Sequence, residues 1–389
     1  MKVFSDNCKK PIKSWCENPE EGAIAQATNL ANLPFIHKHV ALMPDTHQGF
    51  GMPIGGVLAT KGVIIPNAVG VDIGCGMCSI TSNVTEWDRE DLIKVIAQIR
   101  RDVPVGFGRH QKPKDENKLP KSTNKEAHYE MFFEQSLYQI GTLGGGNHFI
   151  ELQRNPDGNL CVMIHSGSRN LGKQVADHYN NIAKDINAKY HSSVLPEWDL
   201  AFLPLDSEDG QRYVQEMQYC VEFALANRME MMEQCKQALY KIFKPNQTVE
   251  FCDFVNIAHN YARLENHFGE NVMVHRKGAT SAKKNEVGII PGSQGTKSYI
   301  VAGKGNKDSF ESCSHGAGRK MGRKQAQRTL DIADETAKLD AMGVIHAVRS
   351  EKDLDEAPGS YKDINTVMAE QTDLVEIIEE RTPLAVIKG

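Results

Sequence analysis

The stretch Val69-Gly70-Val71-Asp72-Ile73-Gly74-Cys75-Gly76-Met77 sets a carboxylate and a thiol three residues apart on a glycine-rich backbone. A carboxylate oxygen is a hard ligand and a thiolate a soft one, and the pair suits a borderline divalent metal. The glycines permit tight turns and remove bulk. The same residues also describe a buried strand ending in a turn, with Cys75 as a small core residue. An Asp-x-x-Cys pair does not choose between the two.

Four later segments place histidine in a similar setting: Gly144-Gly145-Gly146-Asn147-His148, His165-Ser166-Gly167-Ser168-Arg169, Ala258-His259-Asn260 and Ser314-His315-Gly316-Ala317-Gly318-Arg319. Val162-Met163-Ile164 runs into His165, and Phe254-Val255-Asn256-Ile257-Ala258 into His259. Strand ends that deliver polar side chains to a common site give this pattern. With Asp72 and Cys75, three of these histidines suffice for a two-metal centre.

Phosphate-binding segments accompany them. Gly167-Ser168-Arg169-Asn170-Leu171-Gly172-Lys173-Gln174 resembles a P-loop but ends in Gln where a Ser or Thr would hold magnesium, so a P-loop NTPase is rejected. Pro291-Gly292-Ser293-Gln294-Gly295-Thr296 is a glycine and hydroxyl loop that fits either a nucleotide cradle or a hairpin turn. If the residues after Gly316 are helical, Arg319 and Arg323 lie one turn apart on one face. His315 then sits where a phosphate is held, and a histidine there can attack a phosphoryl group. The segment also fits a solvated basic helix with a capping histidine.

The elements that must position these residues belong to an ordinary globular composition, 40% hydrophobic and 24% charged over 389 residues. The net charge of -5 supplies no global basic field, so any nucleic-acid contact is a local patch. No apolar run reaches the length of a membrane span, and the N-terminus lacks a signal-peptide core. Nine cysteines without a regular framework point to free thiols in a reducing cytoplasm. Cys78 reads as core.

Residues 35–81 read as short strands joined by tight turns. Thr85 and Asp88 resemble a helix-entry box, followed by Leu92, Val95, Ile96 and Ile99 at helical spacing. Residues 106–126 read as an exposed loop. The clearest helix covers 207–243, where Tyr213, Met217, Cys220, Ala224, Met231, Cys235 and Leu239 step by threes and fours. A second amphipathic helix is expected over 363–381, stopped by Pro383. Strand-like segments flank the long helix without a βαβ repeat, which predicts an α+β fold. A single domain over 1–389, with mixed sheets and flanking helices around a dinuclear metal cleft, is the expected architecture.

The ordered motifs Met43-Pro44-Asp45-Thr46-His47-Gln48-Gly49, Val71-Asp72-Ile73-Gly74-Cys75-Gly76, Gly144-Gly145-Gly146-Asn147-His148, His165-Ser166-Gly167-Ser168-Arg169, Pro291-Gly292-Ser293, His315-Gly316-Ala317-Gly318-Arg319, Tyr361-Lys362-Asp363 and Lys388-Gly389 resemble those of the RtcB family of RNA-splicing ligases. The resemblance runs from about Pro34 to Gly389. It implies a GTP-dependent enzyme that joins RNA 3′-phosphate or 2′,3′-cyclic phosphate ends to 5′-hydroxyl ends. By the same resemblance His315 is the nucleophile that takes GMP from GTP. Two Mn²⁺ ions are held by Asp72, Cys75, His148, His165 and His259, with Cys75 bridging. Asn147, Ser293, Gly316, Gly318 and Arg319 contact the nucleotide, Glu151 and Lys388 read guanine, and Tyr361 stacks on the base. Asp45, Asn260 and Arg323 are further candidates. The sequence neither demands nor forbids an archease-like activator.

Two departures from the family pattern stand out: a compact segment over 106–140, and Gln294 where methionine is expected. Neither removes a ligand or the nucleophile. A dinuclear phosphoesterase is the alternative enzyme, since it needs the metal ligands but not His315. A non-catalytic RNA-binding protein on the same fold is the other alternative.

Overall fold

A computed structural model describes every residue except Thr123, Asn246 and Ala347. Thr123 belongs to the stretch read as a loop and lies outside the described residues. The fold is α+β, as expected, with two large sheets and helices against them.

The six-stranded sheet runs in the order Lys2–Phe4, Ile12–Ser14, Ile36–Phe50, Met52–Thr60, Glu270–Lys277, Asn260–His267. The pairing of Ile12–Ser14 with Ile36–Phe50 is parallel, and the rest is antiparallel. The seven-stranded sheet is antiparallel throughout: Phe251–Ala258, Gly76–Ser82, Leu160–Ser166, Phe149–Arg154, Val375–Lys388, Ser298–Gly303, Val287–Ile290. A small sheet of Ala279–Ser281 and Ser312–Ser314 lies beside them.

The helix expected over 207–243 spans Glu208–Phe243. Ser207 caps it, its hydroxyl accepting from the Gly210 N–H at 3.1 Å, and Glu208 and Asp209 complement the dipole in the first turn. One end of its apolar stripe packs Met231, Cys235 and Leu239 on Val95 and Ile99 of the helix Arg89–Asp102. The other end packs Tyr213, Met217 and Cys220 on Val175 and Tyr179 of the helix Arg169–Lys189. Met217, Met231 and Met232 are core filler, as expected, whereas Met229 is exposed. Among the described residues no helix is long and apolar enough to cross a membrane.

Four local expectations are corrected. The helix expected over 363–381 is a short helix, Ile364–Ala369, followed by the strand Val375–Lys388. Pro383 sits inside that strand, where the register shifts between Pro383 and Ala385 and no ladder N–H is needed. The helix entry lies at Asp88 and Asp91, which exchange side-chain and backbone hydrogen bonds, and not at Thr85. Residues 35–60 form two long strands joined at Gly51. Asp72 and Cys75 precede a strand instead of ending one, in a turn between the helical turn Pro66–Val69 and Gly76.

Candidate active site and metal cluster

The histidines do sit where strands begin or end. His148 precedes Phe149–Arg154, His165 lies near the end of Leu160–Ser166, and His259 joins Phe251–Ala258 to Asn260–His267. His315 follows Ser312–Ser314. Register does the rest: Met77 pairs with His165, His165 with Phe149, and Gly76 with Ala258, so four ligand-bearing segments arrive side by side.

The result is two ligand groups that share one thiol. Cys75, His165 and His259 form one, and Asp72, Cys75 and His148 the other, with the donor atoms of each group within 4.8 Å of one another. The Cys75 Sγ lies 3.3 Å from His165 Nε2 and 3.5 Å from His148 Nε2. His165 Nε2 is 3.3 Å from His259 Nε2, and His148 Nε2 is 3.1 Å from Asp72 Oδ2.

The tautomers follow from the outer hydrogen bonds. His148 Nδ1 donates to the Leu143 carbonyl at 3.0 Å and His165 Nδ1 to the Asn147 carbonyl at 3.1 Å. Each Nε2 therefore points inward, where the neutral ring offers its lone pair to a cation, the arrangement that backbone acceptors impose on metal-binding histidines. Burial holds His165 and His259 well below the usual imidazole range, so both are neutral. Burial, and next to it the Asp72 charge, keeps the Cys75 thiol protonated when no cation is present. Desolvation alone would raise Asp72, but the hydrogen bond and charge of His148 outweigh it and hold the carboxyl low. A carboxylate oxygen, a thiol and three imidazole nitrogens converging in one place is a donor set that fits divalent cations, and the mixed hard and soft ligands suit a borderline metal.

The protein tightens this cluster from behind. Arg228, fully buried on the long helix, donates to the carbonyls of Gly74 at 3.0 Å and Ser166 at 2.8 Å, tying the Asp72–Cys75 turn to the His165 strand. Its neighbour Asn227 accepts from Gly141 N–H at 2.7 Å and donates to Thr142 and Gly167 carbonyls at 3.1 Å. Gly144 turns at φ +94, and a Cβ there would stand 2.5 Å from His148 Nδ1, so only glycine fits. Asn260 links the carbonyl of Asp72 to the N–H of Gly278.

Beside the cluster opens a cavity of ≈ 580 Å³. The expected site residues line it except His148, which joins through Asp72 and Cys75, and the further candidate Asp45, which lies buried behind His315. His315 faces His259 edge-on with ring centroids 4.8 Å apart. Its Nδ1 donates to Asp45 Oδ2 at 2.6 Å, and the same oxygen accepts from the backbone N–H of His315 and Gly316. Burial would raise Asp45, but the His315 charge and hydrogen bond outweigh it and keep it ionised. With Nδ1 engaged by Asp45, Nε2 is the ring nitrogen whose lone pair is available in the neutral imidazole. Gly318, at φ +72, lets the chain pass so close that a Cβ would meet the Asp45 carbonyl at 2.3 Å.

The expected helix after Gly316 is absent. Residues 318–320 pair with 360–362 through an isolated bridge of Arg319 to Tyr361, and a helix begins only at Arg323. Arg319 and Arg323 share no helical face; both converge on Glu356, at 3.3 and 2.6 Å. Buried Glu356 also accepts from the Tyr361 hydroxyl and from Lys388 Nζ at 3.4 Å. The Arg319 guanidinium covers one face of Tyr361, 5.2 Å from the ring centroid. Glu151 is buried on the same wall, where desolvation pushes its carboxyl up to about 8 and Gln153 donates to it at 2.6 Å. Gln294 is buried and donates to the Glu356 carbonyl at 2.8 Å. Ser293 and Thr296 close the loop between their hydroxyls at 3.1 Å.

Sequence reading missed Arg228, Asn227, Glu356 and Lys277. Asn227-Arg228 interrupts an apolar helical stripe, which was a usable signal. Glu356 lies in an acidic run without one. Lys277 Nζ donates to the carbonyls of Phe50 at 2.6 Å and Asn67 at 2.9 Å, and burial pushes its ammonium down to about 7.

With that geometry in hand, the chain compares as follows. The family model described as tRNA-splicing ligase RtcB matches residues 26–136 and 114–389. The chain is 39% identical to an RNA-splicing ligase RtcB of Escherichia coli K12, over 97% of both chains. It is 32% identical to a tRNA-splicing ligase RtcB of Thermococcus kodakarensis, over 95% of this chain and 92% of that one. It is also 32% identical to an RNA-splicing ligase RtcB of Mycobacterium bovis, over 94% of this chain and the whole of the other.

Proposed function

The chain belongs to the RtcB family of RNA-splicing ligases, and from that premise we propose that it is a GTP- and Mn²⁺-dependent RNA ligase. It joins RNA 3′-phosphate or 2′,3′-cyclic phosphate ends to 5′-hydroxyl ends, in tRNA splicing or RNA repair. In this reading the whole chain, residues 1–389, is one catalytic unit. The observation that carries it is His315: a histidine with Nδ1 fixed by an ionised Asp45 and Nε2 free, in the same cavity as the metal-ligand cluster.

His315 Nε2 attacks the α-phosphorus of GTP. A P–N bond forms, the bond to the β-phosphate oxygen breaks, and pyrophosphate leaves. Asp45 stabilises the positive charge that develops on the imidazole. An oxygen of the RNA 3′-phosphate then attacks the GMP phosphorus and breaks the P–N bond; a cyclic phosphate is first opened by water. The 5′-hydroxyl attacks the activated 3′-phosphate and expels GMP.

Asp72, Cys75 and His148 would hold one Mn²⁺, and Cys75, His165 and His259 the other. When bound, such ions neutralise phosphate charge and polarise the phosphorus–oxygen bonds. Asn147, Ser293 and the Gly316–Arg319 backbone orient the phosphates and ribose. Glu151 and Lys388 read the guanine edge, and Tyr361 stacks on it. Nine unpaired thiols accord with a cytoplasmic setting.

The test is an RNA with a 3′-phosphate mixed with a 5′-hydroxyl RNA, Mn²⁺ and GTP. Joining is expected with GTP, not with ATP, and not with His315→Ala. Removal of the terminal phosphate without joining, undiminished in His315→Ala, would replace the ligase by a dinuclear phosphoesterase.

A further inference from the structure

Phe107 presents its whole ring to solvent. A single exposed apolar residue ordinarily needs no explanation. This one is held in place beside the active site. It lies between Gly106 and Gly108 in a turn whose Gly108 N–H donates to the Val105 carbonyl at 3.0 Å. Gly106 N–H donates to the Gly144 carbonyl at 2.8 Å, and Arg169 Nη2 donates to the Gly106 carbonyl at 2.9 Å. Leu143 N–H donates to the Pro104 carbonyl at 2.9 Å. The turn is thus stapled to the base of the loop that carries Asn147 and His148.

Between Phe107 and the cleft runs a floor without side chains. Gly145 and Gly146 are exposed. A Cβ on Gly145 would approach Gly106 Cα at 3.7 Å, and one on Gly146 would approach Arg323 Nη2 at 3.2 Å. Cations stand at both ends: Arg109 exposed beyond Phe107, and on the other side exposed Lys324 beside Arg323, which is paired with Asp355 and Glu356. In a chain of net charge -5 this is a local basic patch, and it is interleaved with an aromatic.

We infer that Phe107 is a stacking platform for a nucleobase of the RNA strand whose end enters the cleft, with the strand's phosphates crossing the Gly145–Gly146 floor between Arg109 and Arg323. The inference rests on the ligase reading. Stacking on an aromatic face is sequence-tolerant, which suits an enzyme that must accept the end whatever base flanks it. A backbone already fixed by its turn need not be ordered when the base arrives.

The experiment compares wild type with Phe107→Ala, Phe107→Leu and Phe107→Trp. Labelling of His315 by GTP needs no RNA and serves as the control. RNA binding is followed with a 3′-phosphate oligonucleotide, intact or carrying one abasic site at each position near the end in turn. Phe107→Ala is expected to be guanylylated at the wild-type rate yet to bind and seal RNA about 5–150-fold less well, the range of one lost stacking contact. Phe107→Trp should retain binding and Phe107→Leu should not. One abasic position should weaken wild type and cost Phe107→Ala nothing further. Wild-type RNA binding by Phe107→Ala, equal rescue by Leu and Trp, or abasic losses that persist unchanged in Phe107→Ala would overturn the platform and leave Phe107 as a contact for a protein partner. If wild type is not guanylylated, it is the ligase reading that fails; the binding comparison still decides the platform.

Discussion

Asp45 Oδ2 accepts three hydrogen bonds from two adjacent residues: His315 Nδ1 at 2.6 Å, His315 N–H at 3.0 Å and Gly316 N–H at 3.2 Å. One buried carboxylate oxygen thereby fixes both the backbone and the tautomer of His315. Asp45→Asn keeps the shape but no longer supplies a negative charge to balance the imidazolium of the attack. It should slow transfer of GMP to His315 by about 10²–10⁴-fold, the usual worth of such a group. GTP affinity should change little. Single-turnover guanylylation beside equilibrium GTP binding separates the two, and parallel losses in both would mean that Asp45 only holds the fold.

Cys75 is the one side chain common to both ligand groups. Metal content measured on dialysed protein should therefore fall in steps. Wild type is expected to hold two Mn²⁺, His148→Ala or His259→Ala one, and Cys75→Ala none. Retention of one ion by Cys75→Ala would separate the two groups and remove the bridge.

Much of this site was legible in the sequence, because metal-ligand types at the ends of apolar runs survive any error in naming the elements. His148, His165, His259 and His315 each adjoin a strand end in the fold. What failed was the geometry between motifs. Ile364, Val367 and Met368 do lie on a helix, but Leu374 in the following turn and Val375 and Ile378 in the strand continue its spacing by coincidence. Sheet partners, not local periodicity, decided that segment. Arg319 was expected on a helix because nothing local shows that residues 318–320 pair with 360–362 across forty positions of chain. Glu356, which gathers Arg319, Arg323, Tyr361 and Lys388, became visible only once that pairing existed.

Glu151 offers a pH signature. Burial raises its carboxyl to about 8, so it is neutral at pH 7 in the nucleotide-free protein. A carboxyl whose folded value lies above its unfolded value of about 4.3 favours folding less as pH rises between the two. Glu151→Gln should therefore gain thermal stability relative to wild type as pH goes from 5 to 8. Guanine N–H groups would favour the ionised carboxylate, so GTP binding near pH 7 should release protons from wild type and fewer from Glu151→Gln. Calorimetry in buffers of different ionisation enthalpy reads this directly. Equal proton release from both proteins would place the guanine edge elsewhere.

Behind the cleft wall, next to Lys277, Arg276 is fully buried and grips Glu265 at 2.6 and 3.0 Å, while His267 contacts the same carboxylate at 2.9 Å. Desolvation opposes the ionised form of Glu265, but the His267 hydrogen bond and the Arg276 charge outweigh it and hold the carboxyl far below the usual range. That stabilisation is present above the unfolded value of about 4.3 and is lost as pH falls below it. Arg276→Ala strands a buried carboxylate and should cost about 3–5 kcal/mol in chemical denaturation. His315 guanylylation at 25 °C should persist in whatever fraction stays folded. A loss under about 1 kcal/mol would show that water replaces the pair.

The central claim is that His315 carries GMP. The purified protein is incubated with Mn²⁺ and α-³²P-labelled GTP beside His315→Ala, denatured, and examined for label. Label on wild type alone, stable to alkali and lost in acid as a phosphoramidate is, is the predicted result. Absence of label on wild type with both metal sites filled, or equal label on His315→Ala, would contradict the account.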